Sequence, residues 1–186
     1  MAYVALFHSM LGLRPVERLA AERLRQAGHQ VTTPDLYNGR TAATMDEGYA
    51  LMNAVGWSGI TRRARYAVHA LPADAVLIGV SMGVGVIGTL WPERPQAAAV
   101  VLLHALAALP ANAQPGLQLQ VHAGEADDFA PATEIAALLA SATEAGVAAE
   151  VFTYPGVGHF YTDASRPEHD AHAAELTWQR ILAFLR

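Results

Sequence analysis

The sequence predicts an α/β fold in which about six mostly parallel strands form one sheet with helices on both faces. Short, charge-free apolar runs of strand length alternate along the whole chain with longer stretches in which apolar residues recur at helical spacing. The apolar runs are continuous rather than alternating, the signature of strands buried on both faces. The third observation is Asp74 to Gly85, where an apolar run ends in Gly79-Val80-Ser81-Met82-Gly83 and passes into a Gly-spaced apolar segment of helical length. This reads as strand, sharp turn, helix, with small residues where strand and helix nearly touch.

Each element has its own signal. Tyr3 to His8 is a short apolar strand, and Arg14 to Gly28 a helix through Val16, Leu19, Ala20, Leu24 and Ala27, stopped by Gly28. Gln30 to Thr33 is a second strand ended by Pro34, followed by the turn-rich Asp35 to Gly39. A long excursion then shows helical periodicity over Met45 to Val55 and Ser58 to His69, broken near Gly56-Trp57. After the Ser81 strand and a helix to Leu90 come a strand at Ala98 to Leu103 and a loop with Pro110 and Pro115. A strand at Leu117 to His122 and a helix over Pro131 to Ala145, with proline in its first turn, come next. The last strand is Ala149 to Tyr154, and Glu168 to Leu185 closes the chain as a helix.

At 186 residues and 53% hydrophobic, the chain is expected to form a single domain over 1–186. It has no cysteine, which removes disulfides and a thiol nucleophile, and all twelve basic residues are arginine, which removes Schiff-base and P-loop lysine chemistry. A net charge of -5 with dispersed arginines argues against nucleic acid or an anionic membrane as partner. The charge-free apolar run from Ala75 to Trp91 is short for a membrane span, and the start lacks the features of a signal peptide, so a cytoplasmic location is expected.

Ligands of such sheets bind beyond the carboxyl ends of the strands. There the sequence places Ser81 after the third strand, Gly124-Glu125-Ala126-Asp127-Asp128 after the fifth and Gly156-Val157-Gly158-His159 after the sixth. Serine, acid, histidine is the chain order of the α/β-hydrolase triad. Ser81 is the candidate nucleophile, His159 its base and Asp127 the acid that orients the imidazole, with Asp128 or Glu125 as alternatives. The backbone N–H groups of Met82 and Met10 are the candidate oxyanion donors.

Other features weigh less. His8, His104 and His122 end strands and either line the pocket or are buried structural histidines; no local spacing supports a metal site. Gly83 to Gly88 matches a dinucleotide fingerprint but follows the third strand and lacks a ribose-binding acid. Arg62, Arg63 and Arg65 read as a solvated helix face, as do His169, His172 and Glu175. Tyr49, Met52 and Trp57 lie in the excursion over 41–60, which is either a mobile lid or core.

These landmarks resemble the dienelactone hydrolase family across nearly the whole chain: His8-Ser9-Met10-Leu11-Gly12-Leu13, Asp35-Leu36-Tyr37, the Ser81 elbow, Asp127-Asp128-Phe129-Ala130-Pro131 and Gly158-His159-Phe160. The resemblance implies a minimal α/β-hydrolase fold beginning at what the larger fold counts as its third strand, no cofactor, and Asp127 as triad acid. Three departures stand out. Ser81 replaces the usual cysteine, Ser9 occupies the place of a glutamate that manages the thiol, and Asp163 and Met45 fall where arginines hold the lactone carboxylate. Dienelactone itself is therefore not the expected substrate. The expectation is a small serine hydrolase, carboxylesterase- or lactonase-like, cleaving a small ester, thioester or lactone, with His8, Tyr49, Trp57, His104 and Phe160 as candidate pocket residues. The alternatives are a non-catalytic module on the same fold or an acyltransferase, and a monomer or homodimer in either case.

Overall fold

The computed structural model describes residues 1–186. The apolar runs form strands β1 (Tyr3–Phe7), β2 (Gln30–Thr32), β3 (Val76–Val80), β4 (Ala99–Leu103), β5 (Gln118–Gly124) and β6 (Ala148–Tyr154). They make one sheet in the order β2-β1-β3-β4-β5-β6, and every pairing is parallel. The chain runs from β1 outward to β2, then returns to place β3 on the opposite side of β1. The strand order reverses there, and ligands of such sheets bind beyond the carboxyl ends of the strands at that point, here β1 and β3.

The helices are α1 (Pro15–Gln26), α2 (Met45–Val55), α3 (Trp57–His69), α4 (Met82–Leu90), α5 (Ala132–Glu144) and α6 (Ala171–Phe184). Because successive strand residues point to opposite faces, β1 sends Ala5 and Phe7 one way and Val4 and Leu6 the other. The first set joins Leu77, Val100 and Val121 beneath Ile60 and Val68 of α3, Val84 and Ile87 of α4 and Leu138 of α5. The second joins Ile78 and Val101 beneath Ala20 and Leu24 of α1 and Trp178 and Ile181 of α6. Two-sided burial is why the central strands are uniformly apolar; each fully buried Leu, Ile or Val side chain contributes about 1.5–3 kcal/mol.

Some boundaries differ from the sequence expectation for identifiable reasons. Gly56, at φ 74°, ends α2 and also starts α3, so α3 begins at Trp57 rather than Ser58. Pro131 is the N-cap of α5 rather than part of its first turn. Helix α6 begins at Ala171, with the Asp170 carboxylate accepting the Ala173 N–H at 2.8 Å. His169 lies before it, half-buried, with Nδ1 3.0 Å from the Tyr161 carbonyl oxygen, and does not share the solvated face of His172. The arginines of α3 divide: Arg62 is exposed, Arg65 pairs with Glu93, and Arg63 donates to the Leu36 carbonyl at 2.5 Å. No helix is long and apolar enough to cross a membrane.

Candidate active site

The turn after β3 is held in a conformation that L-residues rarely adopt. Ser81 has φ 52° and ψ -111°, and its N–H donates to the Leu103 carbonyl of β4 at 2.8 Å. The flanking glycines permit this crossing. A Cβ at Gly79 would lie 2.7 Å from the backbone of Gly83 and Val84, and one at Gly83 would lie 2.3 Å from the Phe7 carbonyl oxygen. Strand β1, the elbow and α4 are thus in direct backbone contact, and the serine is lifted to the rim.

The Ser81 Oγ lies 2.8 Å from His159 Nε2. His159 Nδ1 in turn lies 2.9 and 3.0 Å from the two carboxylate oxygens of Asp127, whose side chain is fully buried. Another close backbone approach brings the acid and histidine loops together. A Cβ at Gly124 would lie 2.3 Å from the Val157 carbonyl oxygen, which also accepts the Ala126 N–H at 3.2 Å. Of the three acids in that turn, Asp127 alone contacts the imidazole. Glu125 accepts from Gly156 N–H at 3.4 Å, and Asp128 is exposed.

Met82 is the first residue of α4, so its N–H has no partner within the helix. In the loop after β1, Leu11 N–H donates to the Ser9 hydroxyl at 3.3 Å and Gly12 N–H to the Ser9 carbonyl at 3.1 Å, while the Met10 N–H just before them makes no hydrogen bond. The Ser9 hydroxyl donates onward to Glu17 at 3.1 Å, and Glu17 also accepts from the backbone N–H groups of Ser9 and Arg14. Burial pushes the Glu17 carboxyl up, while the Arg14 guanidinium and these hydrogen bonds pull it down. The Tyr37 hydroxyl donates to Met82 Sδ at 3.0 Å, and burial pushes that phenol up to about 12.

The expected pocket residues divide. His8 and His104 are wholly buried and do not line an open pocket. His8 Nε2 accepts the Leu36 N–H at 3.0 Å and its Nδ1 lies 2.7 Å from the Ser9 carbonyl, fastening β1 to the segment after β2. His104, at φ 64°, sets Nε2 2.7 Å from the Thr162 hydroxyl and packs edge-on against Tyr161 and His159. Burial lowers the proton affinity of His104 well below the ordinary value, and the charges of His159 and His122 lower it further. Phe160 is buried edge-on to His159 at 4.5 Å between ring centroids. Tyr49 and Trp57 are partly exposed, and the Trp57 ring covers Gly85, one turn past Ser81. Their segment is anchored: Leu51, Met52 and Val55 pack on the core, Gly48 rests on Met10 and Leu11, and Arg166 donates to the Ala43 carbonyl at 3.0 Å.

Two residues at the site carried no role in the sequence reading. Glu17 was detectable as an acid in the first turn of a helix entered through Arg14-Pro15, the position from which a side chain reaches back to the N-cap N–H. Phe129, within the acid turn, is half exposed with its ring 4.6 Å from the His159 imidazole. Its signal was an aromatic two residues after Asp127.

The model of the dienelactone hydrolase family matches residues 2–186. The chain belongs to that family. Membership supports a hydrolase of ester or lactone bonds acting on small molecules. No curated protein matches the chain. Among solved structures it is similar to a dienelactone hydrolase-like promiscuous phosphotriesterase, P91, from metagenomic libraries, at 19% identity and TM-score 0.80, covering 100% of this chain and 86% of that one. A dienelactone hydrolase from Klebsiella pneumoniae gives 18% identity and TM-score 0.76 over 100% and 87%. One from Anabaena variabilis gives 18% and 0.66 over 100% and 85%. These likenesses show an α/β-hydrolase fold.

In this member of the dienelactone hydrolase family, Glu17 of α1 places a carboxyl group beside the first loop, at Ser9. Asp163 pairs with Arg14, and hydrogen bonds from Ser165 and Arg14 outweigh burial to hold its carboxyl below the usual range. Met45 packs beside Met10, Leu11 and Phe160.

Proposed function

We propose that this member of the family is a serine hydrolase that cleaves a small ester, thioester or lactone through an acyl-Ser81 intermediate. The observation that carries the reading is the continuous hydrogen-bonded line from Ser81 Oγ through His159 to Asp127. An alcohol is a weak nucleophile at neutral pH, so His159 Nε2 takes the Ser81 proton as Oγ attacks the carbonyl carbon. Asp127 holds the tautomer with Nδ1 protonated and stabilises the imidazolium. The oxyanion of the tetrahedral intermediate is received by the N–H groups of Met10 and Met82, preorganised donors whose individual loss costs about 3–4 kcal/mol in comparable sites. His159 then gives its proton to the leaving oxygen, and a water activated by the same imidazole releases the acid.

Ser81→Ala lowers turnover of an aryl ester by roughly 10⁴-fold or more and abolishes labelling by a fluorophosphonate, which reacts only with an activated serine. Unchanged turnover in that variant removes the serine mechanism. Absence of labelling in the unmodified protein favours a non-catalytic module on the same fold.

A further inference from the structure

Phe129 has no part in the proton line and none in the core. A lone exposed aromatic is ordinary on a protein surface; what distinguishes Phe129, 47% exposed, is its neighbour. Its ring lies 4.6 Å from the His159 imidazole with the planes at 42°. The other rings around that imidazole, Phe160 at 4.5 Å and His104 at 5.8 Å, are buried, so Phe129 is its solvent-side cover. The position is fixed through the acid itself, because Phe129 N–H donates to Asp127 Oδ1 at 3.0 Å and the same carboxylate bonds His159.

The serine mechanism puts a demand on this spot. His159 Nε2 must protonate the departing alkoxide, so the alcohol oxygen of an ester has to come within hydrogen-bond distance of that nitrogen. Whatever the oxygen carries then passes beside the imidazole, where the half-exposed ring stands. The exposed carboxylates of the same turn, Glu125 and Asp128, repel an anionic group. Nearby guanidinium groups are engaged: Arg14 by Asp163, and Arg166 by Glu168 and the Ala43 carbonyl.

We propose that Phe129 forms a wall of the alcohol-side subsite and that the preferred esters carry an aromatic or other apolar, uncharged alcohol group. The proposal rests on the serine-hydrolase reading. It also applies in reverse: an aromatic alcohol bound there gives its O–H proton to His159 Nε2 as its oxygen bonds the acyl carbon. The carbon–Oγ bond then breaks, and Ser81 recovers the proton.

The test compares each ester with itself across the unmodified protein, Phe129→Ala and Phe129→Tyr. In Phe129→Ala, kcat/KM for benzyl and phenyl acetates falls roughly tenfold, the change that about 1.4 kcal/mol of lost ring contact produces, and for methyl acetate less than about twofold. Phe129→Tyr restores the aromatic esters. Acyl-enzyme supplied with benzyl alcohol and methanol together loses its bias toward benzyl ester in Phe129→Ala only. An equal loss on all acetates would mean that the ring merely steadies His159, and a shift in acyl-chain preference along a series of methyl esters would put it on the acyl side; either overturns the proposal. Fluorophosphonate labelling separates the two readings, since fluoride leaves without using this subsite: labelling lost in the unmodified protein sinks the serine mechanism, whereas labelling kept with no ester selectivity sinks only the role of Phe129.

Discussion

The Ser9 hydroxyl donates to the Glu17 carboxyl group at 3.1 Å while accepting the Leu11 N–H at 3.3 Å, so a side chain of α1 is tied to the loop that carries Met10. The free Met10 N–H directly precedes two N–H groups held by Ser9. Proposed as an oxyanion donor, it is thereby aimed by a residue that never touches substrate.

Glu17→Ala lowers kcat on an aryl ester by roughly tenfold or more with a smaller change in KM, because a misplaced oxyanion donor is felt mainly in the transition state. Glu17→Gln, which keeps an acceptor, recovers most of it. Similar loss in both variants, or a change in KM alone, contradicts this role.

The same carboxyl makes a stability prediction. Burial raises its folded value above 4.5, so its contribution is fully present below that pH and is lost as pH rises through the raised value. The unmodified protein therefore loses stability relative to Glu17→Gln on going from pH 4 to neutrality. Denaturant midpoints of the two proteins at several pH values read this directly; a constant difference rejects it.

Asp127→Asn leaves the hydrogen-bonding shape but favours the wrong imidazole tautomer, and turnover falls on the order of 10⁴-fold. Asp128→Asn stays within about twofold. Steady-state rates on one aryl ester decide between them, and a larger loss at residue 128 would reassign the acid.

Gly83→Ala forces a Cβ against the Phe7 carbonyl, whereas Gly158 has no atom within 4 Å of the place a Cβ would occupy. The first substitution destabilises by about 1–3 kcal/mol or more and the second by less than about 0.5 kcal/mol. Thermal melting distinguishes them; equal effects would mean that the elbow can relax.

His122 is buried between Gln120 and Tyr154, and its folded value is lowered from 6.5 to about 3, mainly by burial and then by the Arg180 charge. It stays neutral when folded and takes a proton on unfolding, so its contribution is present above 6.5 and is lost as pH falls toward 3. Replacing it with Gln makes the acid decline of stability shallower by roughly one proton, about 1.4 kcal/mol per pH unit. Unfolding titrations between pH 5 and 7 test this; an unchanged slope assigns the decline to other groups.

The parallel sheet and the Ser81 turn were legible because burial on two faces leaves an uninterrupted apolar run, and because backbone contact admits only glycine at 79 and 83. The three loops that meet at the site follow from chain order. What composition did not reveal is how far each histidine sits below the surface. His8 and His104 end strands just as a rim residue would, and only the packing of Tyr37, Phe160 and Tyr161 over them makes them interior. Glu17 was hidden for a related reason: an acid in a first helical turn usually faces water, and here loop and helix close over it.

All six strands run the same way, so the loops that carry Ser81, Asp127 and His159 gather at one end of the molecule. The opposite end holds the short links before β3, β4 and β6 and the last residues of the loop before β5, including Gly116 and Gly146, whose backbones bond each other at 3.3 Å. Those links are the natural places to splice in a tag, a fluorophore or a tether. Anchored there, the protein would present its working end to the medium.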